Sequence, residues 1–251
     1  MKIIKINLSK EIEKVQIQEP SVAAIGFFDG IHRIHQEILK KTAKIAVKND
    51  LASVIITFSR KVKSYLSGNS EQILDNEIKY KEIEDLTFID YVIEIDVNEE
   101  MIKISKEDFL EWMKTKVNVK KIVVGSDLSF GYRGQGDIYD LLAKFGTDNV
   151  VIYHRVDEFS SSEIKELIAT GHVAQANKMM LKKLELKISK IKANLYESED
   201  NAITVMDGKY QGLVEGKKIN FYVIANRLKI NDSELEGIEP KTVIFLKYLG
   251  K

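Results

Sequence analysis

Two of the four histidines in the chain fall three residues apart, in the run Gly26-Phe27-Phe28-Asp29-Gly30-Ile31-His32-Arg33-Ile34-His35-Gln36. At the start of a helix that spacing brings both rings to one side. An imidazole beside a phosphate gains from protonation, because the neighbouring negative charge favours the charged form. Glycines at 26 and 30 would let a ligand approach the main chain closely. Where such a run joins a strand to a helix, the free N–H groups and positive dipole of the helix end also favour phosphate. The chemistry these residues suit is the stabilisation of negative charge building up at phosphorus, with no covalent protein intermediate. Two other readings compete: a pair of ordinary surface histidines, or two ligands of a metal ion. The metal reading is weak, since no third ligand is indicated. The flanking glycines and Asp29 favour the phosphate site.

The neighbouring sequence supplies a strand and a helix to carry this run. Val22-Ala23-Ala24-Ile25 is a short apolar run ended by Gly26. From His35 to Val47, Ile38, Leu39, Thr42, Ala43, Ile45 and Ala46 share one helical face, with Lys40, Lys41, Lys44 and Lys48 opposite. Ser53 to Phe58 is a second run of strand length. A strand, a helix and a strand in so short a span predict a βαβ unit with parallel, buried strands. The alternation continues, with strands predicted over 91–95, 121–125 and 150–153 and helices over 106–116, 137–145 and 162–169. The predicted fold is α/β, a Rossmann-like doubly wound parallel sheet. Its ligands sit where strand C-terminal ends meet helix N-termini.

From about residue 184 the grammar changes and long helical periodicity disappears. Short strands are predicted over 187–193, 202–206, 218–224 and 242–248, with turn signals at Asp207-Gly208, Glu215-Gly216 and Gly237. Residues 1–183 are read as one domain and 184–251 as a small β-rich module. A module of that size is expected to bury little core of its own.

Composition removes several classes of function. Lys plus Arg and Asp plus Glu both total 38, so the formal charge is zero, which argues against coating nucleic acid or an anionic membrane. There is no cysteine, which excludes disulfides, thiolate nucleophiles, iron–sulfur clusters and Cys-ligated zinc. The opening MKIIKINLSKEIEKVQ is too charged for a signal peptide. No stretch approaches the ~18 apolar residues of a membrane helix, so a cytoplasmic protein is expected. Trp112, between Leu110 and Met113, reads as packing, and the Lys40-Lys41 and Lys182-Lys183 pairs as solvated faces.

The run from Gly26 to Gln36 resembles the G-x-F-D-G-x-H-x-G-H-Q signature of bacterial FAD synthetases, within the HxGH nucleotidylyltransferase superfamily. Three further segments fit in order. Val124-Gly125-Ser126-Asp127-Leu128-Ser129-Phe130-Gly131 resembles V-G-x-D-F-x-F-G, followed by Gly136-Asp137 for G-D. Phe159-Ser160-Ser161-Ser162-Glu163-Ile164-Lys165 resembles I-S-S-T-x-I-R, and Thr170 to Ala176 the G-D-V-x-x-A behind it. The likeness spreads over most of residues 20–180.

The resemblance implies transfer of AMP from ATP to FMN, giving FAD and pyrophosphate, with Mg2+. His32 and His35, with Lys165, would be the catalytic set. Gly26, Phe27, Phe28, Asp29 and Gly30 would lie along ATP, with Ser161 and Ser162 at its triphosphate. Phe58, Asp127, Ser129, Phe130 and Arg133 would meet FMN. On residue types alone, Ser160 with Glu163 also fits an ordinary capping box, and the 127–133 loop an ordinary packed turn.

The chain departs from the family at named points. Ile34 replaces the glycine of H-x-G-H, where a β-branched side chain would crowd the nucleotide. Thr57-Phe58-Ser59-Arg60-Lys61-Val62 stands where T-F-x-P-H-P is usual. Lys165 for arginine keeps the charge and loses the fork. The G-x-P-T-A-N motif of the family's riboflavin kinase domain has no counterpart after residue 184, so no kinase activity is expected and the β module reads as a remnant of that domain. Two alternatives stand beside the adenylyltransferase: a nucleotide- or flavin-binding protein with impaired catalysis, or an enzyme for another phosphorylated acceptor.

Overall fold

A computed structural model describes residues 1–8, 15–68, 71–154, 160–198, 202–235 and 237–250; Phe159 of the serine motif and 9–14 of the opening segment lie outside the described residues. The chain forms two compact units. One comprises Met1–Phe28, Ile34–Ser70 and Tyr80–Asp157; the other comprises Asp29–Arg33, Glu71–Lys79 and Glu158–Lys251.

The first unit is built on β1 (Lys2–Ile6), β2 (Ser21–Ile25), α1 (Arg33–Asn49), β3 (Ala52–Phe58), α2 (Val62–Ser67), α3 (Asn76–Leu86), β4 (Tyr91–Ile95), α4 (Lys106–Thr115), β5 (Val119–Gly125), α5 (Ile138–Phe145) and β6 (Val150–Tyr153). Arg33 and residues 76–79, which open α1 and α3, count with the second unit. The six strands form one sheet in the order β1-β4-β3-β2-β5-β6, and every pairing is parallel. This is the doubly wound sheet that the alternating runs predict. All five residues of β2 are buried, as the centre of a parallel sheet requires. Its one polar residue, Ser21, donates its hydroxyl proton to the Val117 carbonyl at 2.8 Å.

Period-two alternation decides which residues face which side. Ala23 and Ile25, Val54 and Ile56, Ile93 and Ile95, Ile122 and Val124 join one core with Phe109, Leu110, Trp112 and Met113 of α4. Trp112 is thus core packing, 2% exposed. β1, α2 and α3 have no counterpart among the predicted elements. The strand order reverses at β2, which lies between β3 and β5, so the loops leaving β2 and β5 flank the crevice where this fold class binds ligands.

The second unit contains α6 (Ser161–Ala169), α7 (Val173–Met179), β7 (Glu185–Lys192), β8 (Leu195–Ser198), β9 (Gly208–Val214), β10 (Lys217–Ile224), β11 (Arg227–Lys229) and β12 (Thr242–Gly250). Its strands close an antiparallel barrel in the order β10-β11-β8-β7-β12-β9. Closure gives the barrel a core that the small size of the module did not suggest. Tyr210, Phe221 and Phe245 are all within 1% of full burial. The Phe221 and Phe245 rings meet edge to face at 5.1 Å.

α7, β8, β9 and β11 have no counterpart among the predicted elements, and a predicted strand and a predicted turn are absent. Residues 203–206 are not a strand: Ala202 makes one isolated parallel bridge to Gln72, and the segment beyond it only imitates alternation, with Ile203 and Val205 buried. Asp207-Gly208 does not turn a hairpin, since Gly208 opens β9 and the Asp207 carboxylate accepts the Ala225 N–H at 2.9 Å. Two of the tight turns are Glu215-Gly216 (φ 46 and 81), as predicted, and Ala225-Asn226 (φ 48 and 60). Both have two left-handed residues, the geometry that matches strand twist.

Candidate active site

In the first unit, the chain leaves β2 at Gly26, where a Cβ would stand 3.2 Å from the Phe28 ring. Phe27 presents its carbonyl to the Thr57 hydroxyl at 3.3 Å. Phe28 is buried with a φ of 56, a conformation bulky residues rarely hold, and its ring meets that of His35 edge-on at 5.2 Å. His35 lies in the first turn of α1, where backbone N–H groups have no helical partner. Ile34, at the position of the family's glycine, is the second residue of that helix and is half-buried.

The loop after β5 is held from below. Phe130 and Gly136 exchange two backbone hydrogen bonds, at 3.0 and 2.8 Å. The Phe130 ring is buried against Phe109, 5.4 Å away, and fills the space where a Gly136 side chain would begin. Gly131 (φ 73) leaves no room either, since a Cβ there would lie 2.7 Å from the Lys106 backbone nitrogen. Asp137 closes the loop as the N-cap of α5 in a full capping box with Asp140. Outward from this frame stand Asp127, Ser129 and Arg133, all exposed, while Phe58 at the end of β3 is half-buried against the core. Phe130 therefore anchors the loop through its ring.

The second unit holds the remaining site residues. His32, buried, directly precedes α1. Asp29 is 3% exposed, and its Oδ1 accepts the backbone N–H groups of Ile73 at 2.8 Å and Leu74 at 3.4 Å. Its Oδ2 lies 3.5 Å from the Lys165 ammonium. Lys165 also donates to the Glu71 carbonyl. Ser161 donates its hydroxyl proton to the Asp29 carbonyl at 3.0 Å. Ser160 caps α6 by accepting the Glu163 N–H at 3.1 Å, which is the N-cap half of the capping box read from the sequence without the reciprocal Glu163 bond, while Ser162 is exposed at the helix opening. Gly30 (φ 75) packs beside Ile73, where a Cβ would meet Cδ1 at 3.1 Å.

Asp29, Gly30, Ser161 and Lys165, from two distant motifs, thus converge. The partners that sequence reasoning missed are Glu71, Ile73 and Leu74. Their one signal is an isolated apolar pair, Ile73-Leu74, set in the polar run from Ser67 to Glu77. Among the described residues, no three His, Asp or Glu side chains are placed to hold a metal ion. No helix among them is long and apolar enough to cross a membrane.

A parallel sheet of this order, with an H-x-x-H helix start after its central strand and a serine-capped helix beyond β6, defines an α/β protein of the nucleotidylyltransferase type. The family model for FAD synthetase matches residues 14–168, and the chain belongs to that family. It is 31% identical over 189 residues to the bifunctional riboflavin kinase/FMN adenylyltransferase of Bacillus subtilis, covering 72% of this chain and 59% of that one. It is 26% identical over 174 residues to the FAD synthetase of Listeria monocytogenes, covering 64% of this chain and 68% of that one. The chain spans little more than half the length of the bifunctional relatives it matches. The fold as a whole resembles the crystal structure of a macrolide-efflux protein from Streptococcus pneumoniae. There the TM-score is 0.80 at 23% identity, covering 99% of this chain and 100% of that chain, a likeness of fold alone.

Proposed function

We propose that this chain is an FMN adenylyltransferase that transfers AMP from ATP to FMN. A phosphate oxygen of FMN attacks the α-phosphorus of ATP, the new P–O bond gives FAD, and the bond to the β-phosphate breaks to release pyrophosphate. No protein nucleophile is needed; alignment and charge stabilisation carry the reaction. His32 and His35 donate to the α-phosphate and the leaving group. The backbone of Gly26 to Gly30 lies along ATP, and Ser161 and Ser162 present hydroxyls to the triphosphate at the opening of α6. On the acceptor side, Asp127, Ser129, Arg133 and Phe58 receive FMN, on a loop that Phe130 keeps in shape.

Mg2+ enters this reading with the substrate. Among the described residues no three His, Asp or Glu side chains are grouped to hold it, and magnesium characteristically binds phosphate oxygens with at most one or two carboxylates. The setting is cytoplasmic, and the partners are small molecules.

The observation that carries the proposal is the H-x-x-H pair at the start of α1, straight after the central strand of a chain whose residues 14–168 match the FAD synthetase family. Incubation with FMN, ATP and magnesium, followed by chromatography, tests it: FAD accumulates. A chain that binds both nucleotides and forms no FAD contradicts it. Riboflavin with ATP is expected to give no FMN, because the barrel carries no G-x-P-T-A-N segment.

A further inference from the structure

We infer that Lys165 is a positioning residue that acts through Asp29, and not a ligand of the triphosphate; this rests on the adenylyltransferase reading of the same site. The Asp29 carboxylate is almost fully buried; Oδ1 accepts hydrogen bonds, whereas among the described residues Oδ2 accepts none and is balanced by the Lys165 charge alone. Oδ1 receives the N–H groups of Ile73 and Leu74, at 2.8 and 3.4 Å. Oδ2 faces the Lys165 ammonium at 3.5 Å. The same ammonium donates to the Glu71 carbonyl, and the Asp29 carbonyl receives the Ser161 hydroxyl.

One lysine and one aspartate therefore fasten three stretches of chain, the turn at 29–31, the segment 71–74 and the opening of α6. The turn leads directly into His32. A buried carboxylate left without its cation is strongly unfavourable, so the lysine charge has a demand on it from within the protein. An ammonium has three donors and no acceptor; one donor is given to the Glu71 carbonyl, and the charge is opposed by the buried Asp29 carboxylate. Its side chain is 24% exposed, which leaves little face for a triphosphate. In the family motif an arginine fork stands here. A lysine, a compact point charge, suits a single buried carboxylate as well.

A double-mutant cycle tests the inference. Lys165→Met keeps length without charge, and Asp29→Asn keeps an acceptor for Ile73 and Leu74 without demanding a cation. For a positioning role, Lys165→Met lowers kcat at least about tenfold and leaves KM for ATP within about threefold. Adding Asp29→Asn then costs no more than about a further threefold, since paired groups couple strongly. Lys165→Arg retains most activity. A rise of about tenfold or more in KM for ATP, with the two losses multiplying in the double variant, overturns the inference in favour of a direct phosphate contact.

Hydrogen exchange at the Ile73 and Leu74 amides gives a readout that needs no turnover. It accelerates about tenfold in Lys165→Met if the lysine holds Asp29 in place; unchanged protection there overturns the inference. Should the unsubstituted chain make no FAD, the functional reading fails while this exchange measurement still decides the role of Lys165. If Lys165→Met does not fold, the same exchange comparison in Lys165→Gln and Lys165→Arg replaces it: faster exchange in the glutamine variant alone supports the inference, and equal exchange overturns it.

Discussion

His32 and His35 differ in surroundings although they share a motif. His32 is buried ahead of α1, whereas His35 stands in the first helical turn with its ring against Phe28. In the proposed role of donors to the reacting phosphates, each would be worth what a preorganised oxyanion donor is worth. His32→Ala should lose roughly a hundred- to a thousandfold in turnover, ~2.7–4 kcal/mol, with the thermal unfolding profile retained. Steady-state FAD formation measures this, and near-normal turnover would take this imidazole out of the mechanism. Gly30 tests the turn itself. With a φ of 75 and Ile73 Cδ1 3.1 Å from where a Cβ would be, Gly30→Ala should cost about 1–2 kcal/mol, read by urea unfolding. The paired histidines and glycines were legible because they sit next to one another in the chain. The true partners of Asp29 were not, because Ile73 lies 44 residues away and contributes only a backbone N–H. Main-chain donors leave no trace in residue type.

Among the elements, the segment that caps Asp29 is tied to the barrel within the second unit. Gln72 pairs with Ala202, Thr204 donates to the Glu71 carboxylate, and Lys187 of β7 bridges Asp75 at 2.8 Å and Glu77 at 2.6 Å. Burial pushes the Asp75 carboxyl up, but the Lys187 ammonium and the N–H groups of Glu77 and Ile78 outweigh it and hold it below its ordinary value. Lys187→Ala should cost about 1 kcal/mol in urea unfolding at pH 7, the size of a partly exposed ion pair. A loss of FAD synthesis larger than that destabilisation explains would extend the barrel's role from holding this segment to tuning the site. Asp232 makes a second tie, accepting from Lys190 at 2.7 Å and from the Tyr196 hydroxyl at 2.6 Å, and these hold its carboxyl down at about 2. A lowered carboxyl contributes stability above its unfolded value of 3.8 and loses it as pH falls toward 2. The melting temperature of Asp232→Asn should therefore lie below that of the parent from pH 7 to about pH 5. The gap should close as the pH drops below 3.8. The central strands were legible because buried parallel strands are continuous β-branched runs. β1 was not, because at the sheet edge Lys2–Ile6 mixes two lysines with its three isoleucines and shows no continuous apolar run. The helix α3 opens with Asn76 and Glu77 and is mostly polar, so no apolar stripe announces it.

At the scale of the molecule, a chain of zero formal charge offers no broad single-sign field, so the proposed chemistry falls to a few clustered groups. Its doubly wound parallel sheet was readable from the alternation of elements, while the strand order and the closed barrel were not, since both depend on pairing between distant strands, in the barrel as distant as β7 and β12. Riboflavin supplied with ATP should remain unphosphorylated under conditions where FMN is consumed, which chromatography of the flavins would establish. The most direct test of adenylyl transfer follows the phosphorus atoms. With FMN and ATP labelled at the α-phosphate, the label should appear in FAD. With ATP labelled at the γ-phosphate, it should appear in pyrophosphate. Label from the γ-position in a flavin, or no flavin labelled from the α-position while ATP is consumed, would contradict the account.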